Sequence, residues 1–294
     1  MFATLLGDLP RPPLDAAGDP APEAILDACL ELQIEAGLEP LTDGGWPLTD
    51  DPVVAWSATA DRAGRLVKSV ITGPWTSGRP IDAIRRDLEA LIAAGCRWIE
   101  VHEPAAVTLA SEAEVDDDPM QRFADQHRAL TEGLGDAAHL SLAITGGAAD
   151  GAGIDTILAG SYASLALDLI DGPNNWRLAV SAPSTVGIIC GAVAARGSDD
   201  GPEILVWAAN YAAASAGRGL DRVGLATSGS LAALDWDAAV RKVRKLGEAA
   251  RIAAASPEEQ RAALDPRAYD IRSAALGRNA PPRPNRQARR RRRG

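Results

Sequence analysis

Short apolar runs recur along the chain, and most are followed by a stretch with helical spacing. The runs fall at residues 3–6, 40–42, 67–71, 97–101, 138–144, 164–169, 186–193 and 222–226. Between them, residues 22–36, 81–94, 120–133, 202–216 and 235–255 repeat apolar positions every three or four residues, as helices with one buried face do. Trp236, Ala239, Val243, Leu246 and Ala250 make the clearest such face. Residues 50–65 read as an extra hairpin or arm. The strands are continuously apolar and alternate with helices, which predicts an α/β fold with a parallel sheet, specifically a (β/α)8 TIM barrel. An open doubly wound sheet is the competing topology. The chain lacks a G-x-G-x-x-G or Walker sequence that would favour it.

Charge separates a body from a tail. The 294 residues carry a net charge of −10, yet residues 278–294 hold eight arginines and no acid. Residues 1–277 therefore have 22 basic against 40 acidic residues, a net −18. This gives two expected domains, a barrel over 1–277 and a disordered Arg/Pro-rich tail over 278–294. An acidic body repels phosphate backbones, so no specific nucleic-acid partner is expected. The tail carries the charge to contact an anionic partner such as RNA, an anionic surface or the acidic body; a solvated segment without a specific partner is the expectation. No apolar run reaches the length of a membrane span and no signal-peptide pattern opens the chain, so a cytoplasmic protein is expected. Cys29, Cys96 and Cys190 are widely spaced and read as small buried hydrophobes.

In a parallel barrel, chemistry gathers on the loops after the strand ends. The polar and aromatic residues expected there are Asp8, Asp43, Trp46, Trp75, His102, Glu103, His139, Ser141, Asp168, Arg196 and Ser228. Histidines and carboxylates converging on one mouth supply acid–base catalysis or a weak metal site. Each also has a structural reading. His139 and Ser141 alternate on one strand and can be satisfied by core hydrogen bonds; Glu103 can accept from neighbouring backbone amides. Trp46 and Trp75 offer either packing or a flat surface for a ring-shaped ligand.

Several strand ends resemble a known family. The stretch Glu35-Ala36-Gly37-Leu38-Glu39-Pro40-Leu41-Thr42-Asp43-Gly44-Gly45 is similar to the "EAGLDVLTDGE" stretch of cobalamin-independent methionine synthase. Leu5-Leu6-Gly7-Asp8-Leu9-Pro10 resembles its "IGSFP", and Thr72-Gly73-Pro74-Trp75-Thr76 its "TGPVT". Ala94-Gly95-Cys96 through Glu103-Pro104-Ala105 resembles its "AGC" and "DEPA" segments. The resemblance covers residues 1–250 and the catalytic C-terminal barrel only. It implies a barrel of the methionine synthase and uroporphyrinogen decarboxylase superfamily, whose members often move methyl groups to thiols.

The family's zinc ligands are a His-x-Cys pair, a Glu and a second Cys. The resemblance puts His139-Leu140-Ser141, Asp168 and Ser228 at those places. Only His139 and Asp168 keep a ligand type, and serine hydroxyls are poor zinc ligands, so zinc is not expected. Among the family's substrate contacts, Asp8 replaces a Ser, Gly45 a Glu and His102 an Asp, while Glu103 is retained. The expectation is a methyl or one-carbon transferase-type enzyme with an altered small-molecule substrate, for which a folate or corrinoid methyl donor is compatible. Catalytic roles fall to His139, Glu103, Asp168 and His102, and substrate contacts to Asp8, Asp43, Trp46, Trp75, Ser141 and Ser228. The alternatives are a non-catalytic binding barrel and a metal-independent decarboxylase-like enzyme.

Overall fold

Seven apolar runs form one curled parallel sheet. A computed structural model describes residues 1–13, 20–113, 118–197 and 201–265. Its strands are β1 (Phe2–Thr4), β2 (Ser69–Thr72), β3 (Trp98–His102), β4 (His139–Ile144), β5 (Ser164–Asp168), β6 (Gly187–Val193) and β7 (Val223–Thr227). They lie in the order β1-β7-β6-β5-β4-β3-β2, and every pair is parallel. Helices cover the outside: α1 (Pro22–Ala36), α2 (Pro52–Ala63), α3 (Pro74–Ser77), α4 (Ile81–Ala93), α5 (Leu109–Glu112), α6 (Pro119–Thr131), α7 (Ile154–Ile157), α8 (Trp176–Ser181), α9 (Pro202–Ala214), α10 (Trp236–Ala254) and α11 (Pro257–Ala263). The arginine-rich 278–294 segment lies outside the described residues.

Two expectations need correction. Residues 50–65 contain helix α2, not a hairpin. Asp51 caps it, accepting from Val53 N–H at 2.9 Å and Val54 N–H at 3.0 Å, Pro52 occupies its first turn, and Gly64 ends it in the left-handed conformation. That start and stop chemistry was readable in the sequence. The run at 40–42 is not a strand. It makes single bridges, Glu39 to Ala3 of β1 and Leu41 to Val67 just ahead of β2. Pro40 has no N–H to give, and the chain turns away at Gly44 and Gly45, both at positive φ. The regular sheet thus has seven strands rather than eight.

Strand alternation divides the core in two. The outward faces and the helices build the large cluster that includes Leu26, Leu88, Leu142, Leu165, Leu225 and Leu246. The concave face is filled mainly by small residues: Leu6, Ala143, Ala166, Ile189 and Ala226 pack together, with Phe2 and Trp98 against them. Phe2 and Trp98 meet edge to face at 5.3 Å and plug the end where the strands begin. The three cysteines are buried, as expected, and desolvation pushes the Cys29 and Cys190 thiols up to about 12.

Candidate functional site

The strand ends carry most of the polar residues the sequence points to, and most of these fasten backbone. Glu103, just after β3, is fully buried; Oε1 accepts from Trp75 N–H at 2.9 Å and Oε2 from Thr76 N–H at 2.7 Å. Gly73 lets it approach, since a Cβ there would stand 2.2 Å from Glu103 Oε1. Behind it, His127 pairs through Nδ1 with the Tyr162 hydroxyl, and its Nε2 stands 3.2 Å from Glu103 Oε1 without the alignment of a hydrogen bond. Burial, then the Glu103 charge, holds the Tyr162 phenol well above its ordinary value.

Asp168 closes β5 in the same manner. It accepts from Gly146 N–H at 3.1 Å, Ile170 N–H at 2.9 Å and Asp171 N–H at 3.0 Å. Desolvation outweighs these amides and raises its pKa. The Ser228 hydroxyl accepts from Ala195 N–H at 3.0 Å, while Arg196 beside it is exposed. Trp46 donates its indole N–H to Leu9 O at 3.1 Å. Trp75 packs edge-on against Phe123, with the Arg122 guanidinium 5.8 Å above its ring. Asp8 is exposed and Asp43 half-buried; burial pushes the Asp43 carboxyl up, the Gly45 amide opposes this, and Asp8 adds to it.

His139 is not at the mouth. It is the first residue of β4, in register with Trp98 at the start of β3, so it sits at the opposite end of the concave face. Its ring stacks on Trp98 at 3.8 Å, and Nε2 is 2.8 Å from Ser164 Oγ, which in turn donates to Ser141 Oγ at 3.0 Å. Desolvation lowers its pKa to about 4; Glu100 opposes that shift and Lys68 adds to it. At the mouth level of β4, facing His102 across the ladder, stands Ala143. The residues that would have to hold zinc therefore do not meet. His139 and Ser141 both pair with Ser164 of β5, Asp168 is held by three amides near the other end, and Ser228 faces Ala195. Among the described residues no three metal-ligating side chains converge.

What the concave face does bring together is an ionic chain that the sequence reading passes over in part. β3 alternation puts Trp98, Glu100 and His102 on this face. Lys68 Nζ lies 2.7 Å from Glu100 Oε2 and donates to Leu5 O at 2.7 Å, with both charged side chains fully buried. Glu100 Oε1 meets His102 Nε2 at 2.8 Å, and the His102 side chain is 14% exposed. Burial alone would raise the Glu100 carboxyl, but Lys68 and His102 together bring it below its ordinary value. The same burial lowers the Lys68 ammonium, which Glu100 partly restores. Lys68 and Glu100 each stand as a charge in the interior of a mainly apolar run. That is the signal that marks them, because a charge in a continuous strand must find a partner on the inward face.

No protein-family model matches the chain, and no curated protein matches it. Solved structures share its fold. A B12-independent methionine synthase from Shewanella sp. W3-18-1, solved with selenomethionine, superposes with a TM-score of 0.69 at 14% identity, over 89% of this chain and 99% of that one. A Listeria monocytogenes protein assigned as a vitamin-B12-independent methionine synthase gives 0.70 at 14% identity, over 87% and 98%. A Toxoplasma gondii ME49 protein assigned as a deoxyribose-phosphate aldolase gives 0.51 at 12% identity, over 85% and 93%. At such identities the likeness carries the fold, not the chemistry.

Proposed function

We propose that this chain is an enzyme of the methionine synthase-like barrel superfamily that uses acid–base chemistry on a small molecule at the barrel mouth. In this reading the 39–42 segment is the barrel's irregular eighth stave, and His102 exchanges the proton. The observation that carries the reading is the His102–Glu100–Lys68 chain: a mouth-facing imidazole held at 2.8 Å by a buried carboxylate that a buried lysine neutralises. With Glu100 accepting from Nε2–H, Nδ1 is the ring atom left to exchange a proton with a bound molecule. Glu103 and Asp168, occupied by amides, shape the mouth instead of moving protons. No step runs through zinc.

The fold shared with the Shewanella methionine synthase favours methyl or one-carbon transfer as the reaction, with altered acceptor. The methyl carbon's bond to its donor would break as the acceptor's X–C bond forms, the donor keeping that electron pair, and His102 Nδ1 would take the acceptor's X–H proton and pass it to the departing donor. The test uses the chain's three histidines as reporters. Imidazole nitrogen spectra are recorded while thiols, alcohols, amines and carbon acids are screened for binding. The reading expects bound molecules to move the His102 ring signals and His102→Gln to abolish turnover of any acceptor found. A substrate turned over equally well by His102→Gln overturns it.

A further inference from the structure

The wall of the curled sheet is open beside β2. Leu41 N–H donates to Leu66 O at 2.9 Å and Lys68 N–H to Leu41 O at 2.9 Å, after which the ladder stops. The chain leaves through Gly44 and Gly45, at φ of 68° and 82°, and the Gln33 side chain takes both peptide groups of Thr42. Peptide groups alternate along a strand, so those of Val70 and Thr72 face the same side as that of Lys68. Among the described residues nothing pairs with them there, and Val70 is 41% exposed. They border a cavity of about 590 Å³ with Trp56 and Pro47 as apolar wall. The Trp56 indole N–H donates to Val67 O at 3.1 Å, which fixes that wall before anything binds. Of the charges lining the cavity, Arg79 pairs with Asp87 at 2.7 Å and Lys68 with Glu100 at 2.7 Å. Asp43 and Asp50 are left, and among the described residues neither has an ion pair.

A cavity of this size falls in the range of small-molecule pockets, about 300–1,000 Å³, and is too small for a protein interface. Its free edge repeats N–H and C=O groups about 6.6 Å apart, and a second extended chain presents the complementary groups at the same repeat. We propose that the slot binds a free, short cationic peptide as an added strand on β2, with its lysine or arginine side chains on Asp43 and Asp50. About three residues reach both free units, because alternate residues of an added strand do the pairing. Charge complementarity selects a cation: the cavity's own cations are engaged, and the two carboxylates left over would repel an anionic ligand. Burial pushes the Asp43 carboxyl up and Asp8 adds to this, a penalty that an incoming cation relieves. The Trp56 ring offers cover for the aliphatic stem of a lysine or arginine. Thr72 stands opposite His102 on the ladder, so a peptide on this edge lies one strand away from the imidazole. That the peptide is the acceptor rests on the proposed function; that it binds does not.

The test titrates the full chain with the N-acetylated, C-amidated tripeptide lysine-valine-lysine and follows amide hydrogen exchange at Val70 and Thr72. Saturating peptide should slow exchange there by about tenfold or more. Two further probes separate the contributions. The glutamate-valine-glutamate peptide reverses the charge, and the backbone-N-methylated lysine peptide keeps the charge but has no N–H to give. Each should bind about tenfold more weakly or worse. Asp43→Asn with Asp50→Asn should erase the preference for lysine over glutamate. No slowing at about 10 mM peptide, where even a complex of about 1 mM Kd is mostly formed, overturns the proposal. So does equal binding of the N-methylated peptide, which would leave charge without strand pairing. Slow exchange at both amides before any peptide is added overturns it too, since the edge would already be covered. The His102 ring reports separately: slowed amides with an unmoved ring keep the site and remove its part in the chemistry, and a failed titration leaves the His102 reading standing.

Discussion

The two sides of the curled sheet's C-terminal rim are built from the same residue types and do different things with them. From β3 round to β7, the strand-end side chains turn onto backbone: Glu103 on Trp75 and Thr76, Asp168 on three amides, Ser228 on Ala195, and Asn175 on Ala149 N–H and Gly147 O. That side is fastened shut. On the β2 side the ladder ends early, the Val70 and Thr72 peptide groups on that edge have no partner among the described residues, and the charged residues bond one another: Lys68 to Glu100, Glu100 to His102. A polar residue at a strand end is thus weak evidence of chemistry until its partner is known. A carboxylate that closes a loop has both oxygens engaged before any substrate arrives.

The largest effect should come from splitting the buried pair. Lys68→Met leaves Glu100 as a buried charge with only His102 beside it, and should cost about 3–5 kcal/mol. Urea unfolding should show a lower midpoint at an unchanged slope. Glu100→Gln placed on top should recover part of the loss, since two neutral groups replace one stranded charge. If Lys68→Met costs no more than a surface change, the concave face is wet and the contrast between the two sides fails.

The next effect is a pH slope set at the far end of the concave face. The folded His139 ring has its pKa lowered to about 4, while an unfolded histidine titrates near about 6.5. Between those values the unfolded ring holds a proton that the folded ring does not, so stability rises with pH. The slope is about 1.4 kcal/mol per pH unit, roughly 3 kcal/mol in all, and it vanishes above about pH 6.5–7. Denaturant titrations from pH 4 to 8 should show this slope in the wild type and a reduced one in His139→Gln. Subtracting the two profiles isolates the ring from Asp43 and Asp168, whose raised carboxyls act with the opposite sign.

Fasteners should be felt in stability and not in chemistry. Glu103→Gln replaces one of two accepting oxygens by an NH2 group facing a backbone N–H, and should cost about 1–3 kcal/mol. Asp168→Asn should cost a similar amount. Ligand-induced movement of the His102 ring should survive both. If Glu103→Gln abolishes turnover at conditions where the variant is fully folded, Glu103 belongs with the reacting groups and the line between the two sides moves.

Periodicity made the sheet and most helices legible, because continuous apolar strands and amphipathic helices leave a direct trace in the sequence. The 40–42 run was misread because three apolar-looking residues say nothing of whether a neighbour will pair. Gln33, nine residues earlier, decides that by taking the Thr42 peptide groups. Helix α2 was missed although Asp51-Pro52 announced it. Spacing identified Glu103, His102 and Asp168 as strand-end residues but not whom they bond, since Trp75, Glu100 and Gly146 come from other segments. His139 was put at the wrong end of its strand because the run 138–144 was read without its register to Trp98. Lys68 and Glu100 escaped notice because a charge inside an apolar run looks like noise until the two are seen facing each other.

The smallest stability change should accompany the largest functional one. His102→Gln removes a side chain that is 14% exposed and has one partner, Glu100, that the glutamine amide can still reach as a donor. Lys68 keeps Glu100 Oε2 paired in any case, so the cost should be about 1 kcal/mol or less. The proton-exchanging atom, however, is gone, because an amide neither gives nor takes a proton near neutral pH. A variant that unfolds at nearly the wild-type denaturant concentration and binds an acceptor without turning it over is the result this geometry predicts. A variant that loses several kcal/mol instead would show that His102 is one more fastener, and that the open side of the mouth is held together much as the closed side is.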